Sequence, residues 1–386
     1  MTTQFEFATV PRIIFGAGAA SRIGDQVKDF GRRALVVTGR SPNRVDQLLS
    51  NVVAAGVGVS TFAVAGEPET STVENGVQLA KKDHCDFVIS IGGGSVIDAG
   101  KAIAAMLANE GQLFDYLEII GRGQSLKKAS APFVAIPTTA GTGAEVTRNA
   151  VLSAPEHQVK VSLRSPLMLA RLAVVDPELT YGLPPELTAF TGLDALTQLI
   201  EPYVCLRANP MTDGGCVEGI HRVARSLRVA VLDGGNHFAR EDMALASLLG
   251  GVALANAGLG AVHGFAGPIG GGFPAPHGAI CAALLPHVMM MNLRALRERE
   301  PQNPGLVRYQ KVAALLSGNP HATADVGAEW VQTFVADLKI PRLGHYGVRE
   351  EHVADLVAKS MKASSMKANP IELRPEELGQ TLRLAL

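Results

Sequence analysis

The chain has 386 residues, enough for two domains of ordinary size, and its 47% hydrophobic and 18% charged side chains describe globular material, not disorder. Its 35 basic and 36 acidic residues leave a net charge of −1, so no basic excess marks a nucleic-acid binder, and one Trp with five Tyr offers little for base stacking. No apolar leader opens the chain and no uncharged apolar run approaches membrane-spanning length. Four cysteines (Cys85, Cys205, Cys216, Cys281) show no CxxC or other ligand spacing and read as buried thiols. A cytoplasmic protein with no membrane or nucleic-acid partner is expected.

In chain order, residues 34–38 (ALVVT) read as a buried strand, 44–54 as an amphipathic helix, 59–64 as a strand and 71–82 as a helix. Residues 86–91 (DFVISI) form the next strand, running into GGGSVID and a small-residue helix to 107. Residues 133–137 (FVAIP) follow as another strand. This alternation predicts a parallel sheet covered on both faces. Beyond 172–185, where Pro184-Pro185 punctuates, helical periodicity takes over: 186–204, 213–232, 240–257 and 276–293. The fold class expected is therefore an α/β domain with a parallel sheet over 1–182, then an all-α domain over 183–386.

Gly92-Gly93-Gly94-Ser95 sits between a predicted strand and a predicted helix. It reads either as a tight turn or as a phosphate loop, and its place at the end of a parallel strand favours phosphate. It is not GxGxxG. A second polar turn, PTTAGTGAE over 137–145, also follows a strand, and its hydroxyls suit ribose or phosphate oxygens. In the helical half, Asp194 and Gln198 stand at i and i+4, with His263 and His277 on further segments. They suit a divalent metal, although without short-range spacing they read more readily as satisfied polar residues.

Together, GGGSVID, PTTAGTGAEVT, AVVDPELT, GLDALTQLIEPY and HGFAGPIGGGFPAPHGAICAALLPH resemble the iron-containing (group III) alcohol dehydrogenases, relatives of maleylacetate reductase, glycerol dehydrogenase and dehydroquinate synthase. The resemblance implies a dinucleotide-binding α/β domain, a dehydroquinate synthase-like helical domain, and catalysis in the cleft between domains. It also implies NAD(P) as cofactor and a homodimer or larger assembly. Gly92, Gly93, Gly94 and Ser95 would take the pyrophosphate, with Asp98 in the same motif. Thr138, Thr139 and Thr142 would line the ribose path, and Lys160 would approach the nicotinamide ribose. Asp194, His263 and His277 match three of four ligands for Fe2+ or Zn2+ and would carry catalysis.

Three positions depart from the family pattern. Gln198 stands where a ligand His is usual, and its amide oxygen is a poorer partner for iron or zinc. Gly267 replaces another active-site His and leaves room. Gly39-Arg40-Ser41 replaces the Asp that repels a 2′-phosphate, so the cofactor leans to NADP unless Arg40 faces solvent.

The reaction expected is hydride transfer between nicotinamide C4 and a carbonyl carbon, the oxygen polarised by a metal or, without one, by a protonated His263 or His277. One rival is reduction of an acidic keto compound received by Arg148 and Arg164, in the manner of maleylacetate reductase. Another is a nucleotide-binding relative without turnover.

Overall fold

The computed structural model describes residues 4–40, 45–157 and 159–386. Two compact units divide the chain: an α/β unit of Ala8–Thr139 and Gly143–Tyr181, and a helical unit of Gly182–Leu386 that also takes in Ala140–Thr142 and the N-terminal residues up to Phe7.

The α/β unit runs β1 (Ile13–Phe15), α1 (Ile23–Val27), β2 (Arg33–Thr38), α2 (Asp46–Ala54), β3 (Gly58–Ala63), α3 (Thr70–Lys82), β4 (Phe87–Gly92), α4 (Gly94–Ala108), α5 (Leu113–Tyr116), β5 (Phe133–Pro137), β6 (Asn149–Ala154), β7 (Val159–Arg164) and β8 (Leu172–Val175). Strand order is β1-β8-β5-β4-β2-β3, every adjacent pair parallel. β4, β5 and β8 are buried throughout and β2 from Ala34 onward, which is why they read as unbroken apolar runs and not as alternation. The chain leaves β2 for β3 on one side and resumes at β4 on the other. The topological switch point therefore falls between the C-terminal ends of β2 and β4, where open parallel sheets bind ligands. Thr38 stands opposite Ile91 in that register, so the residues that follow, Gly39 and Gly92, emerge side by side. β6 and β7 pair separately as an antiparallel hairpin, an element outside the strands expected from the apolar runs.

The helical unit comprises α6 (Pro185–Val204), α7 (Pro210–Leu232), α8 (His237–Asn256), α9 (Ala261–Gly272), α10 (His277–Arg299), α11 (Gly305–Ser317), α12 (Ala324–Asp337), α13 (Val353–Ser360) and α14 (Pro375–Ala385). The helices expected over 186–204, 213–232, 240–257 and 276–293 are α6, α7, α8 and α10. α6 is buried almost end to end, so its apolar residues run all round it. α10 is long and apolar enough to cross a membrane, yet 83% of its most apolar window is buried inside this unit, which makes it a core helix.

Candidate cofactor loops and metal-binding cluster

In the α/β unit, β4 passes straight into α4 through Gly92 and Gly93. A Cβ on Gly92 would stand 2.6 Å from the Val96 side chain, so only glycine lets the strand turn this tightly. The Val96 and Ile97 N–H groups donate to the Gly93 carbonyl at 3.0 and 3.1 Å, which leaves those of Gly94 and Ser95 before the first turn of α4, at the end where the helix dipole favours an anion. Thr138 N–H donates to the Gly92 carbonyl at 2.9 Å, which lays the threonine turn beside the glycine turn. Gly93, Gly94, Ser95, Thr138 and Thr139 are all half-buried there.

The other expected cofactor residues are placed differently. The Asp98 carboxylate accepts the Val151 N–H at 3.0 Å and lies 3.5 Å from Lys101 Nζ, so it braces the β6–β7 hairpin against α4. Lys160 pairs with Glu67 at 3.4 Å. Thr142 is grouped with the helical unit, and Thr138 and Thr139 with the α/β unit. Gly39 is half-buried and Arg40 exposed, while Ser41 lies outside the described residues. Arg164 pairs with Glu118 at 3.4 Å, both side chains about two-fifths exposed, which marks a surface pair.

In the helical unit, α6, α9 and α10 bring Asp194, His263 and His277 together. Asp194 Oδ1 lies 3.4 Å from His263 Nε2 and 3.6 Å from His277 Nε2. Cys281 Sγ is 3.8 Å from the first nitrogen and 3.6 Å from the second, and all four donor atoms lie within 4.8 Å of one another. Among the described residues, Asp194 Oδ1 and Gln198 Oε1 are buried with no hydrogen-bond partner. An orphaned carboxylate oxygen is costly to bury, and a divalent cation beside Asp194 would satisfy it. The donor set fits such an ion. Gln198 itself turns its Nε2 to the Gly141 carbonyl at 3.3 Å.

Glu201 sets the geometry of the cluster from α6. One of its oxygens accepts the Val262 N–H at 2.7 Å at the start of α9, and the other accepts His263 Nδ1–H at 2.7 Å. With Nδ1–H so engaged, Nε2 is the nitrogen turned to Asp194: its proton faces the carboxylate, and loss of that proton would free the lone pair for an ion. A Cβ on Gly260 would come within 2.8 Å of Glu201 Oε1, so a larger residue there would press on the carboxylate that makes these bonds. Burial opposes charge on His277, but Cys281 and Asp194 beside it overcome that and push the imidazole up to about 9. Burial likewise opposes charge on Asp194, and the two imidazoles outweigh it, holding the carboxyl below its usual range. His277 is 36% exposed, against 7% for His263 and 3% for Asp194, so it is the member that meets solvent.

Sequence reasoning missed Cys281 and Glu201. The signals available were the i, i+4 spacing of His277 and Cys281, and the i, i+4, i+7 stripe of Asp194, Gln198 and Glu201 on a buried helix.

Comparison with known proteins decides the family. Residues 11–177 match "Iron-containing alcohol dehydrogenase", and residues 188–386 match "Fe-containing alcohol dehydrogenase family, C-terminal". The chain belongs to the iron-containing alcohol dehydrogenase family. Similar members include the 1,3-propanediol dehydrogenase of Citrobacter freundii, 36% identical and covering 97% of each chain. The long-chain-alcohol dehydrogenase 1 of Geobacillus thermodenitrificans is 37% identical, covering 92% of this chain and 91% of its own. The solved alcohol dehydrogenase from Oenococcus oeni superposes with a TM-score of 0.91 at 31% identity, covering 99% of this chain and all of the other. As a member of the family the chain is an NAD(P)-dependent oxidoreductase acting on CH–OH groups, an alcohol dehydrogenase or carbonyl reductase with a candidate metal-binding cluster.

Proposed function

We propose that the enzyme interconverts a small aldehyde or ketone and its alcohol, with the dinucleotide gripped by Gly92, Gly93, Gly94, Ser95, Thr138 and Thr139 and a divalent ion, Fe2+ or Zn2+, held by Asp194, His263 and His277. The observation that carries this reading is the convergence of an orphaned carboxylate oxygen with two imidazole nitrogens at 3.4 and 3.6 Å. When bound, the ion supplies Lewis-acid stabilisation of the charge that gathers on the substrate oxygen. In reduction the hydride pair passes from nicotinamide C4 to the carbonyl carbon, the π pair moves to oxygen, and the oxygen takes a proton from solvent. Glu201 holds His263 in the productive tautomer throughout. His277, the solvent-facing member, stands nearest the arriving substrate.

Two further features support finer choices. At the end of β2, at the switch point, Gly39 stands where the family pattern carries an aspartate, which removes the repulsion of a 2′-phosphate and supports NADPH as cofactor; Arg40 beside it is exposed and carries no part of that reading. Gly267 lies one helical turn from His263, and a Cβ there would meet nothing within 4 Å, so the site has room for more than the smallest substrates. The free, buried cysteines fit a reducing cytoplasm.

The test is exhaustive chelation and metal add-back, with a panel of aldehydes, ketones and keto acids offered with NADH and with NADPH. Chelation is expected to abolish turnover and Fe2+ or Zn2+ to restore it, with aldehydes ahead of keto acids and NADPH ahead of NADH. Turnover that survives complete metal removal would overturn the metal reading and assign polarisation to protonated His277. NADPH binding without oxidation across the whole panel would make the chain a nucleotide binder.

A further inference from the structure

Cys281 occupies a place in the cluster that its lone position in the sequence does not announce. It stands one turn beyond His277 on α10, so both side chains leave the same face of one helix. Tetrahedral zinc with bonds of roughly 2.0–2.2 Å to nitrogen and oxygen and about 2.3 Å to sulfur sets neighbouring donors roughly 3.3–3.6 Å apart. The separations here run 3.4 Å from Asp194 to His263, 3.6 Å from Asp194 to His277, and 3.8 and 3.6 Å from Cys281 to the two imidazoles. These four of the six separations lie within a few tenths of an ångström of that spacing, and the other two are no longer than 4.8 Å. Gln198 meanwhile spends its amide nitrogen on the Gly141 carbonyl. Cys281 is the cysteine that the clustering of donors includes; Cys85, Cys205 and Cys216 lie outside it.

We propose that Cys281 binds the metal as a thiolate, completing an oxygen, two-nitrogen, sulfur set with Asp194, His263 and His277 that selects zinc over iron. The inference rests on the metal reading above and goes beyond it. On coordination one sulfur–metal bond forms, the thiol proton leaves to solvent, and no electron changes hands. The thiolate places a second anionic donor directly on the ion, beside Asp194, while the Glu201 carboxylate stays one bond further back behind His263. Thiolate is also the softest donor in the set and moves preference toward zinc and its spectroscopic stand-in cobalt. Zinc tolerates a fifth ligand, so four protein donors do not bar substrate.

The experiment loads the full-length protein with Co2+ and records its absorption. A sulfur-to-cobalt charge-transfer band in the near ultraviolet is expected in the unsubstituted protein. Cys281→Ser and Cys281→Ala should lose that band while the visible cobalt bands persist at higher metal concentration. Zinc affinity in both variants should fall by more than roughly 100-fold, beyond the 10–100-fold that a residue behind the ligands costs. Circular dichroism checks that both variants keep their helices. Cobalt bound without a charge-transfer band, or a band that survives in Cys281→Ser, would overturn the thiolate assignment and leave the metal reading standing. Failure of the unsubstituted protein to take up cobalt at all would overturn both.

Discussion

The Glu201 carboxylate divides its two oxygens between the Val262 N–H and His263 Nδ1, so a single buried side chain fixes both the start of α9 and the direction of an imidazole. A carboxylate behind a ligand histidine raises its basicity and locks its ring, and losing such a partner typically weakens metal binding about 10–100-fold. Glu201→Gln keeps the shape, removes the charge, and presents an N–H where an acceptor is needed. Zinc competition titration should show a loss in that range with the helical content intact; an unchanged affinity would disconnect Glu201 from the metal. Asp194, His263 and His277 were legible because each sits in a motif carried by the family resemblance, and Gln198 and Gly267 were legible as departures from it. Glu201 and Cys281 were not, because their work depends on where α6 and α10 lie against α9. Cys281 carries no cysteine-pair spacing, because its neighbour in the cluster is a histidine one turn away on the same helix.

At the scale of elements, α4 is the scaffold of the candidate phosphate loop, and its anchoring is unusual. Lys101 is fully buried and donates to the Ala144 carbonyl (2.8 Å), Thr147 Oγ1 (2.9 Å) and the Asn149 carbonyl (2.7 Å), clamping the segment after the threonine turn against the helix. Glu145 is buried in the same segment; burial pushes its carboxyl up to about 7, against the pull of Lys101. Because the folded-state value lies above the ordinary 4.5, the stability that the protonated group contributes is fully present below 4.5 and is lost as pH rises through 7. The span corresponds to about 3 kcal/mol. Urea midpoints at pH 5 and pH 8 should therefore fall less with rising pH in Glu145→Gln than in the unsubstituted protein. Equal slopes would mean that Glu145 titrates normally. The strand–glycine–helix passage was readable because unbroken apolar runs ending in Gly92 have few other uses. The β6–β7 hairpin was not, since its strands mix Asn, Ser, Lys and Arg with alternate apolar positions and carry no turn signature.

For the whole molecule, the division into a sheet-bearing and a helical unit followed from the change of periodicity near 183. Periodicity could not foresee that Ala140–Thr142 is counted with the helices, because packing alone decides such a grouping. A metal bound only by the folded state adds stability by mass action, about 4 kcal/mol when its free concentration is 1,000 times the dissociation constant. Chelation should accordingly lower the melting temperature of the unsubstituted protein and leave that of Asp194→Ala unmoved. Identical melting with and without chelator in both would argue that no ion contributes. The apolar character of α10 has a consequence of its own. The helix that carries His277 and Cys281 is also one long and apolar enough to cross a membrane, so a nascent or partly opened chain exposes an apolar stretch and these two side chains at the same moment. Anything that covers that stretch during synthesis covers both side chains as well.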